Sequence, residues 1–394
     1  METYPVLIIL SSLVIFSYLF DILARRTKLP SVLLLLLTGI GIRLIVDSLK
    51  QPVFDVFIIL PTLGTVGLIL IVFEGALGLT YEKKRNRLIR NSFFSALIIL
   101  LASAAAISCI IHLLTDYPFH ACLINAVPFS VISSAIAIPS VSNIAPEKKE
   151  FVVYESTFSD IIGIILFNFL LYNEKIDGSS FLWLGLDTLI VIVISSVFCV
   201  LLLYIIGRIN HPVKFFLILA ILILVYSLGR LWHLSTLIIV LAVGLFLNNA
   251  AQIKLPIFRK YLLYTSFKDD LQQLHKFSAE SAFLVRTFFF VIFGFIISIR
   301  DLNDSQMIMY SAVILSVIYI LRTLYLRFIS RSGMLPELFI TPRGLISILL
   351  FLTLPQSLRI PGIDTGLLFV VILATSIIMS FGIMLSGKKT HVPS

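Results

Sequence analysis

The sequence has 394 residues, of which 59% are hydrophobic and only 13% are charged. A soluble domain would carry about 25% charged residues, so this composition excludes an ordinary soluble protein and predicts a polytopic membrane protein. The net charge of +9 is compatible with an acidic partner. The basic residues lie between apolar runs, however, which is typical of membrane topology, and we expect no nucleic-acid partner.

About thirteen stretches are long and apolar enough to cross the lipid bilayer as helices. They are 4–23, 30–47, 53–79, 91–114, 120–142, 151–172, 181–206, 212–229, 232–250, 279–299, 306–328, 337–354 and 364–386. Lys and Arg are concentrated in every second loop, and the positive-inside rule assigns those loops to the cytoplasm. The sequence therefore predicts an all-α, multi-pass protein of the cell membrane (plasma or inner), with the N-terminus outside and the C-terminus cytoplasmic.

The remaining polar segments are short. The segment 251–278 favours a short amphipathic helix on the cytoplasmic surface, and a simple connector is the alternative. The chain ends soon after Lys389, so we expect no cytoplasmic regulatory domain and a single membrane transporter domain over 1–394.

Two of the spans are predicted to be interrupted. The span 120–142 contains the run Ser133–Ser140 with a proline, and the span 337–354 opens with Ile340–Gly344, which also contains a proline. Proline removes a backbone donor and breaks or kinks a helix. The two interruptions occupy corresponding positions in the two halves of the chain, which is the layout of inverted repeats with paired broken helices. A proline kink in an otherwise ordinary packed helix is the alternative.

The span 151–172 carries two carboxylates, Glu155 and Asp160. A carboxylate within a membrane helix is energetically costly and usually marks an ion or proton pathway. At 100° per residue, Ser156 and Ser159 share one polar face with these acids. Asp160 lies about 14 Å along the helix axis from the start of the span, near the middle of a ~30 Å hydrocarbon core. Transporters bind their substrates at this depth.

Asp160 is the first candidate for binding the transported ion. A neutral carboxylic acid and a cation-bound carboxylate are the two forms that a membrane interior tolerates, so a proton and a cation can compete for it. Four hydroxyl groups offer the neutral oxygens that a dehydrated monovalent metal cation needs, those of Ser133, Ser134, Ser156 and Ser159. The alternatives are a structural carboxylate that is hydrogen-bonded to a neighbouring helix, and serines that serve only packing.

Other charged residues have candidate supporting roles. Glu155 is either a second ligand or an acid neutralised by a buried arginine, and we favour the second interpretation. Arg322 is a candidate partner because a guanidinium stays charged when buried, although it could instead reach toward the cytoplasmic surface. Arg343 and Gly344 are candidates for supporting the crossing of the broken helices, where Arg343 could also be a positive-inside anchor.

Three further charged residues lie in apolar spans. Glu74 could guide cations at an entrance or serve only at the membrane interface. Glu280 and Arg286 lie six residues apart and do not share a helix face, so we expect each to find a partner elsewhere.

Four motifs together carry a family resemblance. Glu155-Ser156-x-x-Ser159-Asp160 resembles a Glu-(Ser/Gly)-x-x-Asn-Asp signature, and Phe73-Glu74-Gly75-Ala76-Leu77 resembles Phe-Glu-x-Gly-Leu. The Phe-rich run 287–294 ends in glycine, and Pro342-Arg343-Gly344-Leu345-Ile346-Ser347 contains an Arg-Gly-x-x-Ser pattern. With these motifs in this order, the sequence resembles the monovalent cation:proton antiporter superfamily, in its sodium/proton exchanger (NhaP-like) branch.

The resemblance implies the sodium/proton antiporter fold with two crossed broken helices, in a homodimer that works by elevator-like alternating access. It implies an interface part (about 1–90 and 181–299) and a mobile core part (about 91–172 and 306–386). By the same resemblance, Asp160 carries the cation or the proton, Glu155 pairs with Arg322, and Ser156 with backbone oxygens completes the cation site. Electroneutral exchange of one Na⁺ or K⁺ for one H⁺ is then expected, without enzymatic activity and without a cofactor.

Two departures from the family pattern leave the transported cation open. The chain has Ser133-Ser134-Ala135 where the branch usually has Thr-Asp-Pro, so the acid of that motif is missing, and it has Ser159 in place of an asparagine. A sodium-coupled organic-anion transporter of related fold is the main alternative and would need an additional substrate pocket. A multi-span membrane acyltransferase is a weaker alternative, because the predicted outside loops are short and poor in catalytic residue types.

Overall fold

A computed structural model gives the architecture of the chain. It describes residues 3–27, 30–49, 59–79, 85–141, 144–173, 177–208, 214–231, 236–253, 267–297, 305–330 and 335–386. Within these ranges every regular element is helical. The α-helices are α1 (Thr3–Thr27), α2 (Ser31–Ser48), α3 (Ile59–Leu77), α4 (Asn86–Thr115), α5 (Phe119–Ser130), α6 (Ser134–Ser140), α7 (Pro146–Tyr172), α8 (Gly178–Arg208), α9 (Lys214–Leu231), α10 (Thr236–Asn249), α11 (Phe267–Ile296), α12 (Ser305–Leu324), α13 (Leu345–Thr353) and α14 (Thr365–Ser386).

The predicted spans agree with these helices. Each of them overlaps a helix, and the span 120–142 holds two, α5 and α6. The clearest difference is α11, which begins at Phe267 and not near residue 279. No proline or glycine interrupts 267–293, and two acids in its first turn, Asp269 and Asp270, favour a helix start there. The predicted surface helix is therefore in part the beginning of α11, and residues 254–266 lie outside the described residues.

Both predicted interruptions are present. Helix α5 ends at Ser130, the backbone is not helical over 131–133, and α6 follows for 7 residues. In the second span, residues 335–339 form turns, residues 340–344 are also non-helical, and α13 begins directly after them. Within the described residues of this span, a helix follows the break but does not precede it. Because non-helical backbone at membrane depth must be buried in protein, each break has to obtain its hydrogen bonds from neighbouring elements.

Helices α2 and α11 cross at glycines. A Cβ atom on Gly39 would lie 2.1 Å from the carbonyl oxygen of Val291, and one on Gly294 would lie 2.3 Å from that of Leu36. Only glycine allows the two backbones to approach this closely, which is a frequent device for packing helices in membranes. The crossing places the C-terminal end of α11 beside α2.

The chain forms two compact units. The first contains residues 1–64, 87–167 and 286–394, and the second contains 65–86 and 168–285. The first unit includes both helix breaks and most of the candidate ion-binding residues. The division into an interface part and a core part stays a prediction.

Several helices have the length and composition of membrane spans. Seven helical stretches within the described residues are long and apolar enough to cross a membrane, and further apolar helices are shorter. On α8, apolar side chains are exposed at helical spacing, among them Leu182, Leu186, Leu189, Val193 and Val197. Such a face is suited to lipid, so the chain is a multi-pass membrane protein.

Candidate ion-binding site

Asp160 lies on α7, is 3% exposed, and faces the first helix break. Ser134, the first residue of α6, donates two hydrogen bonds to Asp160 Oδ2, one from its backbone N–H at 3.1 Å and one from its hydroxyl. The other carboxylate oxygen, Oδ1, is buried and has no hydrogen-bond partner among the described residues. One oxygen is therefore fixed in place and the other is available to a cation or a proton.

The first break is held by α7 and by the second break. The backbone N–H of Ile132 donates to Ser159 Oγ at 2.9 Å, and that of Ser133 donates to the carbonyl oxygen of Pro342 at 2.8 Å. These bonds satisfy donors that a continuous helix would have paired internally. The Ser133 hydroxyl is buried and has no partner in the described part of the chain, so it is a second available oxygen.

Ser156 lies one helical turn before Asp160 on the same face of α7. Its hydroxyl donates to the carbonyl oxygens of Val152 (2.8 Å) and Val153 (3.3 Å), and the residue is fully buried. A hydroxyl that donates its proton keeps acceptor capacity, so Ser156 Oγ can still serve as a cation ligand.

Arg343 supports the second break and is fully buried. Its Nε donates to the carbonyl oxygen of Phe129 at 2.6 Å and its Nη1 to that of Thr341 at 2.9 Å. Its backbone N–H donates to Thr375 Oγ1 at 3.1 Å. Phe129 lies in the last turn of α5, where unpaired carbonyls and the helix dipole favour a positive charge. The arginine thereby ties the second break to the end of the first half-helix.

Gly344 allows the two breaks to touch. A Cβ atom at this position would lie 2.5 Å from Ser133 Oγ and 2.8 Å from Ile136 Cδ1. These separations are shorter than any normal contact, so a larger residue would push α6 away. The structure thus brings together Asp160 and Ser159 of α7 with the candidate residues of the two breaks, namely Ser133, Ser134, Arg343 and Gly344.

Glu155 and Arg322 form a buried ion pair. Arg322 Nη2 donates to Glu155 Oε2 at 2.7 Å and Nη1 donates to Oε1. Ser95 on α4 also donates its hydroxyl to Oε1. Both carboxylate oxygens of Glu155 are therefore occupied, whereas only Oδ2 of Asp160 has a partner among the described residues. A bidentate, charge-assisted pair of this kind is the arrangement in which a buried charge is best tolerated.

The ion pair continues toward a charged residue at the start of α7. Arg322 also donates to the backbone carbonyl of Glu337, from Nε at 3.2 Å and from Nη2 at 3.1 Å. The Glu337 carboxylate in turn pairs with Lys148 Nζ at 3.0 Å, and the Lys148 side chain is 34% exposed. A polar chain therefore connects the buried pair to a partly exposed lysine.

Sequence reasoning missed three residues of this network, namely Ser95, Lys148 and Glu337, and it also missed Thr375, which accepts the backbone N–H of Arg343. Ser95 lies in a stripe of buried serines on α4 that also includes Ser92, and this spacing was its only signal. Glu337 follows a proline directly before the second break, where an acid in an apolar run is unusual. Neither signal names a partner, because the partners lie on other elements.

Glu74 lies on α3 in the second unit and is half-buried. Its role at a cation entrance stays a prediction.

Comparison with known families decides the kind of protein. A family model described as "Sodium/hydrogen exchanger, transmembrane" matches residues 10–387. The chain belongs to the sodium/hydrogen exchanger family. This match confirms the resemblance drawn from the four motifs, and it supports cation:proton antiport as the activity of this exchanger-family chain. No curated protein sequence matches it.

Two solved structures of the sodium proton antiporter MjNhaP1 from Methanocaldococcus jannaschii are similar to the exchanger-family chain. The structure at pH 8 is 19% identical, aligns over 99% of each chain and has a TM-score of 0.74. The structure from an electron-microscopy map is 20% identical, aligns over 100% of each chain and has a TM-score of 0.72. At this identity the likeness shows the fold. It confirms the predicted sodium/proton antiporter fold.

Proposed function

We propose that this chain exchanges a monovalent cation, Na⁺ or K⁺, for a proton, and that both ions use the carboxylate of Asp160. The proposal rests on one observation, which is the difference in hydrogen bonding between the two carboxylate oxygens of Asp160. Oδ2 accepts two hydrogen bonds from Ser134, whereas Oδ1 is buried with no partner among the described residues. A buried carboxylate with one open oxygen needs a positive ion, and either a proton or a metal cation supplies it.

The proposed cation ligands are Asp160 Oδ1 and neutral oxygens. Ser133 Oγ has no partner in the described residues, and Ser156 Oγ keeps acceptor capacity. Ser134 and Ser159 also fix Asp160 and the break, because Ser134 Oγ donates to Asp160 Oδ2 and Ser159 Oγ accepts the N–H of Ile132. Like Ser156, both hydroxyls keep acceptor capacity for a cation. Oxygen ligands with a single negative charge suit a monovalent cation.

The proposed stoichiometry is one cation for one proton. Glu155 is neutralised by Arg322, so its charge is not available to a second ion. Arg343 bonds to backbone carbonyls and brings no further carboxylate. The site therefore alternates between a protonated and a cation-bound Asp160 with the same net charge, which makes the exchange electroneutral.

The remaining parts of the proposal follow the family resemblance. We place the protein in the plasma or inner membrane as a homodimer, with the N-terminus outside, the C-terminus in the cytoplasm, and elevator-like movement of the core part. Breaks buried at the middle of the membrane favour alternating access, because they form one site that each side can reach in turn. The transported cation and proton are substrates, and no cofactor is proposed.

The test is proton flux in proteoliposomes with a preset pH gradient. Sodium, potassium, lithium or choline is added in turn, and we expect one or more of the metal ions, but not choline, to collapse the gradient. We expect Asp160→Asn to abolish this response, because an amide neither binds a proton at neutral pH nor supplies the negative charge that the cation needs.

Asp47→Asn is the matched control. Asp47 forms an exposed pair with Arg43 at 3.0 Å one turn away on α2, and such pairs contribute little to stability. This variant should exchange ions like the unmodified protein. Normal exchange by Asp160→Asn, in protein that inserts normally, would contradict the assignment of the site.

A further inference from the structure

Arg286 is a charged residue in the apolar half of α11 that the proposed function does not use. Leu284 and Val285 precede it and Phe288 follows two residues later. The side chain is only partly buried, and a charge at this position in a membrane helix is costly unless it has a specific role.

The guanidinium reaches a backbone carbonyl of the short half-helix α6. Arg286 Nη1 donates to the carbonyl oxygen of Ala135 at 3.3 Å. In an α-helix this oxygen would accept the N–H of the residue four positions later, which here is Pro139. Proline has no N–H, so the helix cannot supply this hydrogen bond. Arg286 provides the donor that Pro139 removes.

The location of this carbonyl makes the bond important. Ala135 directly follows Ser134, whose N–H and hydroxyl hold Asp160 Oδ2. Helix α6 has only 7 residues, and such a short helix depends on outside contacts for its stability. A carbonyl left open at this depth would favour local unwinding beside the ion-binding carboxylate.

We propose that Arg286 is a positioning residue for the cation site, which completes α6 at the carbonyl of Ala135 and thereby keeps Ser134 against Asp160. The inference rests on the proposed function for its effect on ion binding. The order of α6 itself can be measured without it.

The test uses a substitution together with its repair. Arg286→Met keeps a long side chain and removes the donor. Pro139→Ala restores a backbone N–H that can pair with the carbonyl of Ala135, and Pro139 is exposed, so alanine fits there. The variants are the two single changes, the double change, and Arg286→Lys, which keeps one charged donor. Arg43→Met serves as the control for loss of an arginine, because the contacts of Arg43 within the described residues are with exposed Asp47 and with the ring of Phe295 on α11.

Two quantities are measured on the full-length protein in detergent. The first is the hydrogen–deuterium exchange rate of the backbone amides of α6. The second is the Na⁺ or K⁺ concentration that gives half of the cation-induced rise in Tm. We expect Arg286→Met to raise both about tenfold, equivalent to about 1.4 kcal/mol. The double variant should return to within about twofold of the unmodified protein, because both changes act on one hydrogen bond. Arg286→Lys should lie between the two.

A lower Tm in Arg286→Met with unchanged amide exchange and unchanged half-saturation would show a purely structural arginine and overturn the proposal. If both effects persist in the double variant, Arg286 does not act through its hydrogen bond to the carbonyl of Ala135, and the proposal is overturned. If Arg286→Met does not fold, the test uses Arg286→Lys instead. The same two quantities are then compared between Arg286→Lys alone and Arg286→Lys combined with Pro139→Ala. If the unmodified protein shows no cation-induced rise in Tm and no cation:proton antiport, the proposed function fails. The hydrogen–deuterium exchange of the α6 amides then still decides the role of Arg286.

Discussion

At the scale of single residues, the two carboxylates of α7 differ in their partners rather than in their chemistry. The sequence predicted that both acids lie on one polar face, because helical periodicity depends only on spacing. It favoured a buried arginine as the partner of Glu155 and gave Arg322 as the candidate, but it did not identify Ser95, which contacts Glu155 from a distant part of the chain. The open oxygen of Asp160 could not be predicted either, since it is defined by which bonds Ser134 makes.

The Glu155–Arg322 pair gives a prediction about stability. Arg322→Ala leaves Glu155 buried without its charged partner, and we expect a loss of about 3–5 kcal/mol. Adding Glu155→Gln removes the uncompensated charge and should recover much of the loss, while Glu155→Gln alone should also destabilise because it leaves Arg322 unpaired. The measurement is Tm of the purified protein in detergent for all three variants. Equal Tm values for Arg322→Ala and the double variant would argue against the pair as a unit.

At the scale of elements, the two breaks and their crossing were expected, whereas the individual contacts between the breaks could not be predicted. Proline and the hydroxyl residues around it marked both interruptions, since these residue types disturb helices locally. The bond from Ser133 N–H to the carbonyl of Pro342 joins segments that are far apart in sequence, and no local pattern reports it. The continuous α11 was missed for the opposite reason, because the polar residues over 267–278 favoured a separate surface helix, although nothing there breaks the helix that continues into the membrane span.

The contact between the breaks gives a prediction for Gly344. In Gly344→Ala the new methyl group would lie 2.5 Å from Ser133 Oγ, so either the helices separate or the serine moves. We expect a loss of about 1–3 kcal/mol, as for other overpacked sites. We also expect weaker protection by the transported cation, because Ser133 is a proposed ligand. The measurement is Tm with and without Na⁺ or K⁺.

Gly41→Ala is the control for a glycine substitution. Apart from its chain neighbours and its own helix backbone, no atom of the described residues lies within 4 Å of the position where its Cβ would be. Alanine is favoured over glycine inside a helix by about 1 kcal/mol. This variant should be as stable as the unmodified protein or slightly more stable. A Gly344→Ala protein that matches it in Tm and in cation protection would contradict the close crossing.

At the scale of the whole molecule, hydropathy and charge placement were sufficient for the number and order of the membrane helices. Long apolar runs determine spans almost independently of tertiary structure, because backbone groups in lipid must be paired within the helix. The order of the four motifs was sufficient for the family, which the match over 10–387 confirms. Hydropathy carries no information on which helix supplies each polar partner, so the contacts that link Ser95, Glu337 and Lys148 to the Glu155–Arg322 pair came only from the structure.

The charge balance of the molecule gives the last prediction, which concerns membrane potential. If Asp160 is the single carboxylate that exchanges a proton for a cation, no net charge crosses the membrane in a cycle. The potential is set in proteoliposomes by an ionophore for an ion that the protein does not carry, and the initial rate of cation-driven proton flux is measured. We expect equal rates at zero potential and at about 100 mV, whereas movement of one net charge would couple the cycle to about 2.3 kcal/mol. If the rate depends on the membrane potential, and Asp160→Asn shows no such flux, a second charge takes part in transport. The first candidate would then be Glu155, and the ion pair with Arg322 would have to open during transport.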